Sequence, residues 1–145
     1  MIGELMLDTN AVSALVKGQA SRLAASLDKQ GFCISVITEA ELRFGLARRR
    51  VNPDLRRIVE RFLDTVMVKP WDSDCAQRYA LLRAELETRG TPLAPMDLLI
   101  AAHALTESCT LVSADKAFAQ VPGLRVIDWS LAVTAKKPAK APKAS

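Results

Sequence analysis

Short apolar runs alternate along the chain with longer segments in which apolar residues recur at helical spacing. The short runs predict β-strands at residues 4–7, 32–35, 66–69, 110–112 and 125–127. The longer segments predict helices at residues 10–17, 20–29, 38–49, 53–64, 73–89 and 96–107. Because strands separated by helices of this length cannot pair as hairpins, the pattern predicts an α/β fold with a mostly parallel sheet covered by helices on both faces.

The length of 145 residues suits one domain with a buried core, which we assign to residues 1–133. Residues 134–145 contain only Thr, Ala, Lys, Pro and Ser, and they are predicted to form a disordered basic tail because such a composition cannot build a core. No apolar run approaches the ~18 residues that a membrane span needs. The N-terminus also lacks the pattern of a secretory signal, so we expect a cytoplasmic protein with no membrane partner.

Four carboxylates stand beside apolar segments at the predicted junctions between elements: Asp8, Glu41, Asp97 and Asp115. Asp8 and Asp115 directly follow predicted strands, and the carboxyl ends of parallel strands meet at one edge of a sheet. Four carboxylates gathered there would repel one another unless a divalent cation joined them. A hard cation held by oxygen ligands suits the cutting or transfer of phosphate esters, so the pattern predicts a metal site with that chemistry.

Three of these acids also have a purely structural interpretation. Asp8 and Asp115 can cap the helices that follow them, since Asp is favoured at that position. Asp97 lies near the start of an otherwise nearly uncharged helix, where an acid interacts favourably with the helix dipole. Each acid alone is therefore an ordinary residue, and only their convergence on one edge indicates a metal.

Glu41 has a structural interpretation of its own. Together with Thr38 it matches the capping box, in which the acid bonds back to the start of a helix. Against that interpretation, Glu41 shares a helix face with Ile37, Phe44 and Gly45, and that face is expected to point inward.

Residues that could supply nitrogen or sulfur ligands give a weaker signal. The three cysteines, Cys33, Cys75 and Cys109, are odd in number and widely spaced among apolar neighbours, which predicts reduced, buried thiols instead of a disulfide or zinc framework. The single histidine, His103, is expected on a helix surface or in the core, not as a ligand.

Two other phosphate chemistries do not match the sequence. No glycine-rich phosphate loop is present, which excludes nucleotide hydrolysis of the P-loop type. The opening Asp8-Thr9-Asn10 resembles the Asp-x-Asp pattern of haloacid dehalogenase-type phosphatases, but Asn10 stands where their second acid would be. A phosphoenzyme route is therefore not expected.

Basic residues are unevenly distributed in a chain of net charge +4. Any single arginine can be explained as part of a solvated helix face. The cluster that follows Glu41 favours a polyanionic partner such as RNA, because neutralising phosphates releases counterions. The residues assigned to this role are Arg43, Arg48, Arg49 and Arg50.

Four segments in order make the chain resemble the PIN-domain ribonucleases, and more narrowly the VapC-type toxins of bacterial toxin–antitoxin pairs. Residues 6–10 match the opening strand and first acid, residues 35–45 the segment with Glu41, residues 90–102 the segment with Asp97, and residues 111–115 the closing segment. The family commonly has Thr where Ser113 stands, and the position of Asp115 varies. The resemblance implies a PIN-like three-layer α/β/α sandwich.

The resemblance also implies a metal-dependent endoribonuclease that uses Mg²⁺ or Mn²⁺ and cleaves structured RNA such as transfer RNA. Asp8 and Asp97 would bind the main ion, Glu41 would bind or orient a water, and Asp115 would support a second ion or the outer shell. Their hydrogen-bonding neighbours would be Asn10 and Ser113.

The implied partners are a VapB-like antitoxin and a second copy of the chain, in a homodimer that can form a heterotetramer or larger complex with the antitoxin. Part of the dimer surface is expected among apolar helix residues: Val12, Leu15, Val16, Ile58, Val59 and Phe62. Two alternatives stay open on the sequence alone, namely a catalytically silent PIN fold that binds RNA or protein, and a DNA nuclease.

Overall fold

The computed structural model describes residues 3–48 and 50–130, and within them an α/β fold of five strands and six α-helices. The strands are β1 (Leu5–Leu7), β2 (Phe32–Ser35), β3 (Val68–Lys69), β4 (Thr110–Val112) and β5 (Val126–Ile127). The helices are α1 (Thr9–Val16), α2 (Ser21–Leu27), α3 (Val36–Arg48), α4 (Pro53–Thr65), α5 (Ser73–Arg89) and α6 (Pro95–Thr106), with a 3₁₀ helix at Lys116–Gln120. Arg49 and the predicted tail lie outside the described residues.

All strand pairings in the sheet are parallel, in the order β3-β2-β1-β4-β5. The predicted α/β fold is confirmed, and each predicted strand is present, although the last strand is shorter than predicted at its start and β3 begins two residues late. β3 and β5 are the two edge strands of the sheet, and each pairs with a neighbour on one side only. Such edge strands are commonly short.

Side chains of the central strands alternate between two cores, as the period of a strand requires. Met6 packs in one core with α5 and α6, whereas Leu5 and Leu7 pack in the other with α1, α2 and α4. Cys33 and Ile34 divide between the two cores in the same way. The result is the expected three-layer arrangement, with helices on both faces of the sheet.

The passage from β2 into α3 differs from the prediction. α3 begins at Val36, directly after the strand, and the Ser35 hydroxyl accepts the Ile37 backbone N–H at 3.0 Å, as a helix cap does. Thr38 is therefore a buried residue of the first turn and not the cap. The capping-box interpretation of Glu41 is wrong, because the helix starts too early for it.

The inward orientation expected for the whole Glu41 face is also partly wrong. Thr38 and Leu42 are the buried residues of α3, while the Phe44 side chain is 61% exposed and lies beneath the Arg48 guanidinium, 5.3 Å from its ring centre. Glu41 itself is half-buried. The buried stripe of α3 runs through Thr38 and Leu42, and Phe44 lies in solvent.

Most of the residues expected at a dimer surface are used by the core. Val12 and Val59 are buried, and Leu15, Val16 and Phe62 pack against the same apolar cluster. Ile58 alone of that set is largely exposed, at 46%. Apolar positions on α1 and α4 were assigned to an interface because the sequence could not show that α2 and the sheet cover them.

In the described ranges, no helix combines the length and apolar character needed to cross a membrane.

Candidate metal centre

Asp8 is the most buried of the four predicted acids and lies directly beyond β1. Its carboxylate accepts the Ala11 backbone N–H at 2.8 Å, which caps α1, and it also accepts a hydrogen bond from the Ser113 side chain. Burial raises the pKa of Asp8, and the nearby Asp115 and Glu41 raise it further, against the opposing effect of these hydrogen bonds. The capping role of Asp8 is real, but it does not offset the cost of burying this charge.

Glu41 reaches the same edge of the sheet from the second turn of α3. The Thr9 hydroxyl donates to its Oε1 at 2.5 Å, across 32 residues of sequence. Since Thr9 adjoins Asp8, this bond fixes the Glu41 carboxylate beside the first acid. Asn10, which was expected to support the carboxylates, is exposed on α1 and makes no hydrogen bond to them within the described chain. Thr9 performs the task predicted for Asn10.

Asp97 lies in the first turn of α6, where Pro95 starts the helix. Its carboxyl group is half-buried, and that burial, together with the charges of Asp115, Glu41 and Asp8, raises its pKa to about 6. The favourable helix dipole expected at this position is therefore outweighed by desolvation and by three acidic neighbours. This shift shows that all four acids share one region.

Asp115 completes the group from the segment after β4. Its side chain accepts the Ala117 backbone N–H at 2.9 Å and so caps the 3₁₀ helix, while its own N–H donates to the Ser113 hydroxyl at 3.0 Å. Ser113 is buried and lies between Asp115 and Asp8, so its hydroxyl interacts with both residues. Asp115 is the one exposed residue of the four acids.

No cation neutralises this cluster inside the protein: across residues 3–48 and 50–130, none of the four acids forms a salt bridge. Their donor atoms also remain spread, because no three of the four bring ligand atoms within 4.8 Å of one another in that part of the chain. Like charges without a counter-ion are expected to stay apart in this way. Carboxylate oxygens that are partly desolvated and lack a protein cation fit a hard divalent ion such as Mg²⁺.

The arginines that follow Glu41 lie on the exposed outer face of α3 and just beyond it. Arg43 forms a 2.7 Å ion pair with Glu39, Arg48 covers the Phe44 ring, and Arg50 is exposed. Arg49 lies outside the described residues. Three exposed cations therefore lie on α3 and just after its end, on the segment that follows Glu41.

His103 confirms its predicted place in the core and adds a contact that sequence reasoning missed. Its Nδ1 lies 2.7 Å from the Ser35 hydroxyl, so it joins α6 to the start of α3. Burial lowers the pKa of His103, which keeps the ring neutral at this position. The helices that carry Asp97 and Glu41 are thereby tied together beneath the acids.

The cysteines are reduced and buried, as predicted. Sequence reasoning nevertheless missed that Cys33 and Cys109 converge with Glu4, with one ligand atom of each residue within 4.8 Å of the others. Only the pairing of strands brings these distant positions together, so no local pattern could have shown it.

Comparison with known proteins agrees with this geometry. The PIN domain family matches residues 5–124. The tRNA(fMet)-specific endonuclease VapC of Salmonella typhimurium is 33% identical over 130 residues, which cover 87% of this chain and 98% of that protein. Ribonuclease VapC2 of Rickettsia felis is 31% identical over 129 residues, 86% of this chain and 96% of its own. The solved structure of DNA-bound VapBC from Salmonella typhimurium superposes with a TM-score of 0.78 at 32% identity, covering 89% and 99% of the two chains.

Proposed function

The chain belongs to the PIN-domain family, with VapC ribonucleases among its similar members, and from that premise we propose that it is an endoribonuclease toxin of a toxin–antitoxin pair. The observation that carries the proposal is the set of four acids at the carboxyl edge of the sheet, none of which forms a salt bridge within residues 3–48 and 50–130. Burial and the three acidic neighbours raise the pKa of Asp97 to about 6, and a bound cation would offset this unfavourable charge environment.

The reaction proposed is hydrolysis of an RNA phosphodiester with Mg²⁺ or Mn²⁺ bound by Asp8 and Asp97. When bound, such an ion lowers the pKa of a water molecule and offsets negative charge on the phosphate. Glu41, held by the Thr9 hydroxyl, would orient that water, and Asp115 would support a second ion or an outer-shell water. Ser113 would hold Asp8 and Asp115 in their relative positions.

Structured RNA, and transfer RNA in particular, is the proposed substrate class, since the similar Salmonella protein carries tRNA specificity in its name. The outer face of α3 would hold the RNA backbone through Arg43, Arg48 and Arg50, with Arg49 assigned to the same role from its place in the sequence. Arginines on phosphates position a nucleic acid without reading its bases. With RNA as substrate, the site of action would be the cytoplasm.

A VapB-like antitoxin is the proposed protein partner, because the solved structures that resemble this chain are VapBC complexes. A homodimer, and a heterotetramer or larger complex with the antitoxin, are proposed with it. Since the core uses most of the apolar residues first assigned to the dimer, exposed side chains such as Phe44, Met67 and Leu81 are better candidates for contact surfaces. Light scattering that gave a monomer mass across micromolar concentrations would rule the homodimer out.

One cleavage assay tests the enzymatic proposal. Purified full-length chain should cut transfer RNA with Mg²⁺ or Mn²⁺ and should stop on addition of EDTA, with the Asp8→Asn variant as a control for contaminating nuclease. A protein that binds RNA but never cuts it would be a silent PIN-fold module. Equal cleavage of matched single-stranded DNA and RNA would instead indicate a nuclease that does not select the sugar.

A further inference from the structure

A second cluster of ligating side chains lies at the amino edge of the sheet, away from the four acids. Glu4 precedes β1, Cys33 lies near the start of β2, and Cys109 precedes β4. One ligand atom of each residue is within 4.8 Å of the other two, and both thiols are buried, Cys33 fully. The proposed ribonuclease function uses none of these residues.

The positions of the strands argue against a disulfide between the two thiols. β2 and β4 each pair with β1 and not with each other. Strands that flank a third strand lie about 9–10 Å apart, whereas the Cα atoms of a disulfide lie within about 7 Å. The two sulfurs can approach over the top of β1, but the backbones cannot come close enough for the bond.

A bridging ion has no such difficulty. In a tetrahedral zinc site, with bonds of about 2.3 Å to sulfur and about 2.0–2.2 Å to carboxylate oxygen, the donor atoms lie roughly 3.5–4 Å apart. Because the three donors lie within 4.8 Å of one another, they need to contract by no more than about 1 Å to reach that geometry. Two sulfurs and one oxygen select a softer ion such as Zn²⁺ over Mg²⁺, the reverse of the all-oxygen site at the opposite edge.

The charges around the cluster match a bound dication. The Lys69 ammonium lies 3.2 Å from the Glu4 carboxylate and 3.9 Å from that of Glu107. Two thiolates with Glu4 and Glu107 carry four negative charges, and Zn²⁺ with Lys69 carries three positive ones, so the ion and the lysine together offset most of the charge.

We propose that Glu4, Cys33 and Cys109 form a structural binding site for Zn²⁺, or a cation of similar softness, that ties β1, β2 and β4 together at the amino edge of the sheet. A water molecule can fill the fourth position. Because the site assembles only in the folded chain, metal binding there stabilises the fold. This site is independent of the proposed ribonuclease activity.

Cobalt binding to the reduced, metal-free full-length protein tests the proposal, because Co²⁺ on thiolates gives a charge-transfer band that Co²⁺ on carboxylates does not. The band should appear with one equivalent of Co²⁺ and should disappear when Zn²⁺ is added. It should be lost in Cys33→Ala and Cys109→Ala and kept in Cys75→Ala, which removes the third buried thiol. Asp8→Asn should also keep the band, which separates this site from the catalytic one.

Two surface variants keep the test informative where a buried cysteine cannot be changed without unfolding. Glu4→Gln should weaken Zn²⁺ at least about tenfold in a chelator competition, a loss in the range seen when an outer-shell partner is removed. Glu107→Gln removes the other acid beside Lys69 and should change the affinity by much less. No cobalt–thiolate band in the folded protein, or equal Zn²⁺ affinity of the chain and Glu4→Gln, would overturn the proposal.

Discussion

The two edges of the sheet differ in how the charges of their ionisable groups are compensated. At the carboxyl edge four carboxylates converge, and within the described residues none of them has a salt bridge. At the amino edge Glu4 and Glu107 have Lys69 between them, and two thiols take the remaining positions. The charges at the first edge therefore need a hard cation, whereas those at the second are partly compensated by Lys69.

That difference indicates which edge is expected to carry chemistry. A site whose charges are left uncompensated by the protein binds a cation tightly and leaves it open to substrate, as hydrolysis of a phosphodiester needs. A site whose carboxylates pair with lysine and whose sulfurs are buried offers no open position for RNA. Substitutions at the carboxyl edge should therefore affect activity far more than stability, and those at the amino edge should do the reverse.

The largest effect is expected from Asp8→Asn, which should reduce cleavage at least about 100-fold while the protein still folds, since removal of even an outer-shell partner of a metal can cost that much. Asn preserves the cap of α1, so the loss reports the missing charge. Asp72→Asn is a matched control, because Asp72 caps α5 in the same manner, far from the acids in sequence. RNA cleavage rates and melting temperatures check the pair, and full activity of Asp8→Asn would contradict the metal assignment.

Glu41→Gln should come next, with a loss of about 100-fold in kcat at saturating Mg²⁺ and little change in stability. The Thr9 hydroxyl can still donate to the amide oxygen, so the side chain keeps its place but loses its charge. Glu39→Gln on the same helix, where Glu39 pairs with Arg43 in solvent, should leave kcat unchanged. If both variants behaved alike, Glu41 would have only a structural role.

A smaller, pH-dependent effect is expected from Asp97→Asn in the metal-free protein. The pKa of Asp97 is about 6 in the folded chain and about 3.9 in an unfolded one, so ionising it costs stability as pH rises between these values. Below about pH 4 the group is protonated in both states and costs nothing. Asp97→Asn should thus melt a few degrees higher than the unmodified chain at pH 7 and equally at pH 4.

Saturating Mg²⁺ should change the order of the melting temperatures of the unmodified chain and Asp97→Asn. An ion at the acids should raise the melting temperature of the unmodified chain and reverse its order with Asp97→Asn at pH 7. The stabilisation by Mg²⁺ should also fade as pH drops below about 6, because protons compete for Asp97. Melting curves with and without Mg²⁺ at the two pH values check this, and a pH-independent difference would contradict the shifted pKa.

The smallest effect is expected from charge reversal on the outer face of α3. Arg43→Glu, Arg48→Glu and Arg50→Glu should each weaken RNA binding and reduce the log–log salt slope by about 0.7 for a single strand, with metal affinity unchanged. Arg83→Glu on α5 is the control, since Arg83 pairs with Glu87 there.

Deleting residues 134–145 should lower affinity modestly and leave the cut position unchanged. A shifted cleavage site after that deletion, with no effect of the arginines, would contradict the proposed RNA path.

The sequence alone was sufficient to predict the order of strands and helices. It also placed Asp8 and Asp115 at the ends of strands and Asp97 at the start of a helix. Hydrophobic period distinguishes strands from helices, and a parallel arrangement follows from the long connections. Asp8 and Asp115 could be placed at one edge because chain direction fixes where a parallel strand ends. The roles of those acids as metal ligands stay predictions.

Tertiary structure decided what depends on which distant residues meet. The α3 helix starts at Val36 because β2 leads straight into it, and its packing against the two cores sets which of its side chains are buried. Thr9, and not Asn10, reaches Glu41 because α1 and α3 pack together in one orientation. Cys33, Cys109 and Glu4 meet only because β1 lies between β2 and β4 in the sheet. A sequence pattern reports periodicity and ends of elements, whereas such contacts arise from packing between elements far apart in the chain.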